Sequence, residues 1–141
     1  MMIDRFPIRV VVLSFLIFSG CNDSAPPDVE GGSVYRYAEL TDKDFLEKTR
    51  KGVFLIDFDA NWCGWCRKMD PHLAKLSDKL GDKINIVKID FDANPEARSY
   101  FGVRGIPALF VIVDGKQVRS AMGYQTKDQL FALVKDLVEE Q

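Results

Sequence analysis

The sequence Trp62-Cys63-Gly64-Trp65-Cys66 stands between an apolar run and a pattern typical of an amphipathic helix. Residues 53–58 are almost entirely apolar, which is typical of a strand buried on both faces. The leucines that follow the motif recur on one side of a helix that we expect to extend from Cys63 to about Leu80. The chain therefore passes from a buried strand to a helix at the first cysteine, a connection typical of α/β folds.

The rest of the chain supplies the elements of such a fold. Asp114-Gly115 is a strong signal for a β-hairpin, and Thr126 is a suitable cap for a C-terminal helix. That helix has an apolar face made of Leu130, Phe131, Val134, Leu137 and Val138. Further strands are predicted at 34–40, 84–90, 108–113 and 117–121, and further helices at 41–51, capped by Thr41 or Asp42, and at 95–101. This order predicts an α/β fold with a central mixed β-sheet flanked by helices on both faces.

Residues 1–20 have the pattern of an export signal, with Arg5 and Arg9 before an apolar core at 10–18. Residues 18–21 resemble a bacterial lipoprotein box, although Phe18 stands where Leu is usual, and Cys21 is then the predicted lipidation site. Ordinary secretion and an uncleaved anchor remain as alternatives, but the core is about half the length that spans a bilayer. We expect a lipid-anchored protein of the bacterial cell envelope that faces the periplasm or the extracytoplasmic side.

The chain then divides into a tether and one domain. Residues 21–33 comprise the lipidated cysteine and a segment rich in Pro, Gly and polar residues, for which we predict a flexible tether. Residues 34–141 are enough for a single domain with one core. The formal net charge of −2 indicates that nucleic acid is not a partner.

The spacing of Cys63 and Cys66 suits reversible disulfide chemistry. Thiols two residues apart can close into a small disulfide ring and open again, and exchange proceeds by thiolate attack through a mixed disulfide. Cys63 is expected at a helix N-terminus, where free N–H groups and the helix dipole favour an anion. We therefore predict that Cys63 is the attacking thiol and that Cys66, one helical turn further on, is the resolving thiol.

A zinc site and a purely structural disulfide are the competing explanations of these cysteines. A structural zinc site, built from Cys and His, would need two further ligands, which only His72 and Cys21 could supply. We expect His72 to face solvent on the same helix and Cys21 to carry lipid, so we predict no metal. A disulfide across so small a loop constrains the unfolded chain little.

Five segments in this order and at these spacings resemble thioredoxin, over about residues 34–138. They are Ile56-Asp57-Phe58, Trp62-Cys63-Gly64-x-Cys66, Pro71, Val87-Lys88-Ile89-Asp90 and Gly105-Ile106-Pro107. The resemblance implies a thioredoxin fold and a thiol–disulfide oxidoreductase of the protein-disulfide reductase type. It also implies that the redox-active disulfide takes the place of any other cofactor.

The resemblance also assigns roles to residues around the cysteines. Asp57 matches a buried carboxylate that relays protons for the resolving thiol, and Lys88 matches its charged neighbour. Pro107 matches a proline in a cis peptide bond opposite the disulfide, and Ile106 matches a residue whose backbone binds the substrate peptide. Trp62, Gly64 and Trp65 are the other expected substrate-binding residues, with Trp62 packed beside the disulfide and Trp65 exposed to partners.

Two residues depart from the thioredoxin pattern. Trp65 replaces the usual proline between the cysteines, and Asp59 stands where an aromatic residue is common. A second carboxylate near the thiols disfavours the thiolate, so we expect Asp59 to hold the pair toward a reducing poise.

Taken with the export signal, these features predict a monomer that reduces disulfides of exported proteins. It would receive electrons from an upstream membrane or periplasmic dithiol donor. A disulfide oxidase or isomerase on the same fold is the nearest alternative. A Cu(I) metallochaperone that uses the same cysteine pair and a redox-inactive scaffold are the alternatives outside enzymes.

Overall fold

The computed structural model describes residues 37–139, which form a five-stranded mixed sheet. The strands are β1 Ala38–Glu39, β2 Val53–Asp59, β3 Asn85–Asp90, β4 Ala108–Val113 and β5 Lys116–Met122, in the spatial order β1-β3-β2-β4-β5. Strands β1 and β2 pair with β3 in parallel, whereas β4 pairs antiparallel with both β2 and β5. The predicted mixed sheet is confirmed, with β2 at its centre.

Helices cover both faces of this sheet, as expected. They are α1 Phe45–Lys48, α2 Gly64–Leu80, α3 Pro95–Phe101 and α4 Lys127–Glu139, with a short 3-10 turn at Gly81–Lys83 after α2. Leu55 of β2 packs in one core with residues of α2 and α4, and its neighbour Ile56 packs in a second core with residues of α1 and α3. Because side chains alternate along a strand, Asp57 lies on the α2 side of the sheet with Leu55.

The first strand and the first helix are shorter than predicted. Within the described residues β1 comprises two residues, and α1 is one turn that ends where Thr49 Oγ1 donates to the carbonyl of Phe45 at 2.7 Å. Asp42 does not cap α1. Its carboxylate accepts hydrogen bonds from the backbone N–H groups of Glu96 and Ala97 and so caps α3. The predicted helix is therefore present but limited to Phe45–Lys48. Of its two proposed caps, Asp42 serves a helix more than fifty residues away, whereas Thr41 donates hydrogen bonds to the carboxylate of Asp44 just before α1.

The predictions for the C-terminal half are confirmed. Asp114 and Gly115 form the β4–β5 turn with positive φ angles of 49° and 77°, as a two-residue hairpin requires. Thr126 and Gln129 exchange hydrogen bonds at the start of α4 in a capping box. Strand β5 extends one residue beyond its predicted range at each end, and β3 begins one residue later than predicted.

Within residues 37–139, none of the helices combines the length and apolar character needed to cross a bilayer. The predicted signal segment, Cys21 and the tether up to Ser33 lie outside the described residues.

Candidate active site

Cys63 and Cys66 form a disulfide at the start of α2, close to the end of the central strand. Cys63 is the N-cap residue, and its Sγ accepts a hydrogen bond from the backbone N–H of Cys66 at 3.2 Å. Side chains of both cysteines are buried, with exposures of 5% for Cys63 and 2% for Cys66. The N–H groups of a helix N-terminus stabilise negative charge, so this position favours a thiolate on Cys63.

The loop before β4 lies against the disulfide. Ile106 packs on the small cluster made of Ala60, Cys63 and Cys66, and the peptide bond between Ile106 and Pro107 is cis, as expected from the sequence. The carbonyl of Pro107 accepts a hydrogen bond from the N–H of Gly123 at 2.8 Å, which ties this loop to the chain after β5. The structure thus brings Ile106 to the disulfide, while its binding of substrate remains a prediction.

A buried ionic cluster lies on the α2 side of β2 and β3. The ammonium group of Lys88 is 2.8 Å from Asp70, 3.3 Å from Asp57 and 2.5 Å from Asp59. Asp57 and Lys88 are opposite each other in the parallel ladder of β2 and β3, which brings their side chains to the same side of the sheet. Three carboxylates therefore share one cation.

Burial determines the protonation of Asp57, which is 0% exposed. Desolvation raises its pKa to about 7, although the charge of Lys88 acts in the opposite direction. Neither of its oxygens accepts a hydrogen bond from the described residues. For Lys88, burial by itself lowers the pKa. The neighbouring carboxylates outweigh this effect and raise the pKa of Lys88 above its ordinary value. Asp57 can thus exchange a proton near neutral pH while Lys88 stays charged.

The sequence interpretation missed Asp70. This carboxylate is buried on α2, four residues after Cys66, so it lies on the same helix face as the resolving thiol. A charged residue on the apolar face of a predicted helix was the available signal. Asp59 also pairs with Lys88, and burial raises its pKa, so it belongs to this ionic cluster. Its predicted effect on the thiols remains a prediction.

Trp62 and Trp65 present large aromatic surfaces on either side of Cys63. Trp62 is 64% exposed, and its indole N–H donates to Asp92 at 2.7 Å. Trp65 is 58% exposed, as expected, and its ring lies 5.8 Å from that of Tyr124. Gly64, the first residue of α2, is exposed between them. The exposure of Trp65 agrees with its predicted placement, whereas the Trp62 side chain extends to Asp92 and is absent from the cluster of described residues packed around the disulfide. Binding of substrate by these three residues remains a prediction.

His72 does not face solvent as the sequence interpretation expected. It is half-buried, and its Nε2 lies 2.7 Å from the hydroxyl of Tyr124, the residue that contacts Trp65. The other ring nitrogen, Nδ1, is buried with no hydrogen-bond partner among the described residues. The tautomer with the proton on Nε2 leaves no N–H group unpaired, so His72 donates to Tyr124. This bond supports the aromatic surface beside the disulfide.

Comparison with known proteins agrees with this geometry. The thioredoxin family model matches residues 36–136. Thioredoxin from Bacillus subtilis (strain 168) is 45% identical over 96 residues, which cover 68% of this chain and 92% of that protein. Thioredoxin from Listeria monocytogenes is 40% identical over 100 residues, covering 71% and 97% respectively. Thioredoxin from Rhodospirillum rubrum is 40% identical over 99 residues, covering 69% and 95%.

Proposed function

The chain belongs to the thioredoxin family and is a thiol–disulfide oxidoreductase, and from this premise we propose that it reduces disulfides of exported proteins while anchored to a membrane by lipid on Cys21. The observation that carries the reductive direction is the ionic cluster around Lys88, in which Asp70 lies about one helical turn after Cys66 on α2. Three carboxylates surround the single ammonium group of Lys88. Excess negative charge disfavours thiolates, and destabilised thiolates make the dithiol a stronger reductant.

The reaction proceeds in two exchanges. The Cys63 thiolate attacks one sulfur of the substrate disulfide, forms a mixed disulfide and releases the other substrate sulfur as a thiolate, which takes up a proton. Cys66 then transfers its proton to Asp57 and attacks the Cys63 sulfur. This breaks the mixed disulfide and releases the second substrate sulfur as a thiolate, which takes up the proton that Asp57 gives back. The substrate gains two electrons and two protons, and the enzyme is left with its Cys63–Cys66 disulfide. A dithiol donor returns the electrons.

The reduction potential of the purified protein tests the direction. We expect a reduction potential of about −270 mV, the value typical of thioredoxin. It can be measured by equilibration with glutathione or dithiothreitol. The protein should then also reduce insulin when a dithiol donor is supplied. A potential of about −120 mV would identify an oxidase instead. Tight Cu(I) binding without insulin reduction would support the metallochaperone.

Replacement of Cys21 tests the anchor. We expect the wild-type chain to fractionate with membranes and to incorporate labelled fatty acid, because a thioether-linked lipid on Cys21 is the proposed attachment. Cys21→Ala should remove the label and most of the membrane-bound protein, whereas Ser19→Ala should keep both. Retention of Cys21→Ala in the membrane without label would show that the apolar segment itself is the anchor.

A further inference from the structure

One face of α2 carries a row of residues that begins within the reactive motif. Trp65, Lys68, His72, Lys75 and Lys79 follow each other at intervals of three and four, so they lie on one side of the helix. The three lysines are exposed. From Trp65 to Lys79 the helix rises by about 21 Å. We define Lys68, Lys75 and Lys79 as the lysine face.

The far end of the lysine face borders a cleft against the start of α4. The cleft has a volume of about 270 Å³, and it is lined by Lys75, Leu76, Lys79, Lys127, Asp128 and Phe131. The ammonium group of Lys79 lies 3.5 Å from the centre of the Phe131 ring, and that of Lys68 lies 4.4 Å from the centre of the Trp65 indole. Apolar rings and ammonium groups therefore alternate from the disulfide to the cleft.

Three ammonium groups, those of Lys75, Lys79 and Lys127, line this cleft. Across residues 37–139, no ion pair involves Lys127 or any lysine of the lysine face. Among the residues that the structure describes, Asp128 is the one carboxylate that lines the cleft. The whole chain has a formal net charge of −2, so this positively charged patch is opposite in sign to the net charge of the protein. Such a patch attracts a negatively charged partner and steers its approach.

We propose that the lysine face and the adjoining cleft bind an acidic segment of the protein whose disulfide is exchanged. This inference rests on the proposed function, since the row starts at Trp65 beside the reactive disulfide. A partner with its disulfide at Cys63 would place glutamates or aspartates over Lys75 and Lys79 about six residues along an extended chain. Unpaired lysines at that distance then favour partners that are acidic there.

A polypeptide fits this surface better than an anionic bilayer does. The cleft between α2 and α4 is concave, and a chain segment can enter it whereas a flat membrane surface cannot. A bilayer on this face would also cover Trp65, which is 58% exposed and adjacent to Cys63. Substrates could not then reach the disulfide, so a lipid-binding role is in conflict with turnover.

Two peptides that differ only in charge test the proposal. Each contains one intrachain disulfide and carries, about six residues away on both sides, either paired glutamates or paired glutamines. With the full chain and dithiothreitol as electron source, we expect the KM for the glutamate peptide to be about tenfold lower at low salt. Lys75→Glu with Lys79→Glu should remove this preference by raising the KM for the glutamate peptide, with kcat changed less than about twofold. At 0.5 M salt the preference should shrink, because exposed ion pairs are screened.

Lys51→Glu with Lys116→Glu is the matched control. These exposed lysines lie beside the β4–β5 turn, at the end of β2 remote from the cysteines. Their replacement makes the same change in net charge. The control should keep the preference, and its loss there would show a net-charge effect and overturn the proposal. Equal KM values for both peptides would also overturn it, as would lysine-dependent binding to phosphatidylglycerol vesicles in place of a peptide preference. No turnover of either peptide would instead contradict the proposed function. Lys75→Gln with Lys79→Gln provides a milder second variant.

Discussion

Cys66→Ser is expected to stop multiple turnover and to leave Cys63 covalently bound to its partners. Cys63 caps α2 beside the exposed Gly64 and Trp65, whereas Cys66 is the more buried cysteine, with its N–H directed to the sulfur of Cys63. Attack by Cys66 is intramolecular, and well-oriented intramolecular reactions have effective concentrations of about 10⁵ M or more. External thiols at millimolar concentration cannot replace it, so we expect turnover to fall by at least about a thousandfold.

The measurement is recovery of mixed disulfides from cells that express the variant, by non-reducing electrophoresis followed by mass spectrometry. Cys63→Ser is the control, because it lacks the attacking thiol and should trap nothing. Equal trapping by both variants would contradict the assigned order of attack. If no mixed disulfide is recovered with Cys66→Ser, disulfide exchange is not the function. Loss of Cu(I) binding in the same variant would then favour the metallochaperone.

The position of the reactive pair could be predicted from sequence because every signal for it is local. The apolar run of β2, the two cysteines and the helical pattern after them are adjacent in the chain. Gly105-Ile106-Pro107 required the family resemblance, since a proline after isoleucine does not itself indicate a cis bond. The mixed sheet followed from the order of strands and helices, which short segments and the Asp114-Gly115 turn specify.

Features that depend on distant partners could not be predicted. Asp42 reads locally as the cap of α1, but its acceptor oxygens are used by α3. The hydrogen bond between His72 and Tyr124 spans 52 residues and turns an apparently exposed side chain into a support for the aromatic surface. Asp70 joins Lys88 only because α2 packs over β3. Local pattern supplies the elements, and packing between elements decides which polar groups meet.

Asp57→Asn is expected to stabilise the oxidised protein at alkaline pH and to slow its chemistry. Burial raises the pKa of Asp57 in the folded protein to about 7, compared with 3.8 for an aspartate exposed to water. Between these values the folded protein holds a proton that the unfolded chain has released, so wild-type stability falls as pH rises through this window. From pH 5 to pH 8.5 the wild type should lose about 3 kcal/mol of unfolding free energy relative to Asp57→Asn.

Urea denaturation of both oxidised proteins across this pH range measures the difference. Asp82→Asn is the control for loss of one negative charge, because it makes the same change at an exposed position after α2. Its stability profile should run parallel to that of the wild type. Parallel profiles for Asp57→Asn as well would contradict the raised pKa of the buried carboxylate.

Kinetics separate a proton-transfer role for Asp57 from a purely structural one. If Asp57 accepts the proton of Cys66, its amide analogue cannot, and general-base catalysis of this kind contributes about a hundredfold or more. We therefore expect Asp57→Asn to slow resolution of a preformed mixed disulfide at pH 7 by at least tenfold, and to remove the inflection near pH 7 from its rate profile. If the variant is stabilised but keeps both the rate and the inflection, another group accepts the proton. Asp59 and Asp70, the other two carboxylates paired with Lys88, are then the candidates. Higher stability combined with slower chemistry would instead show that the buried carboxylate of Asp57 lowers the unfolding free energy and is required for catalysis.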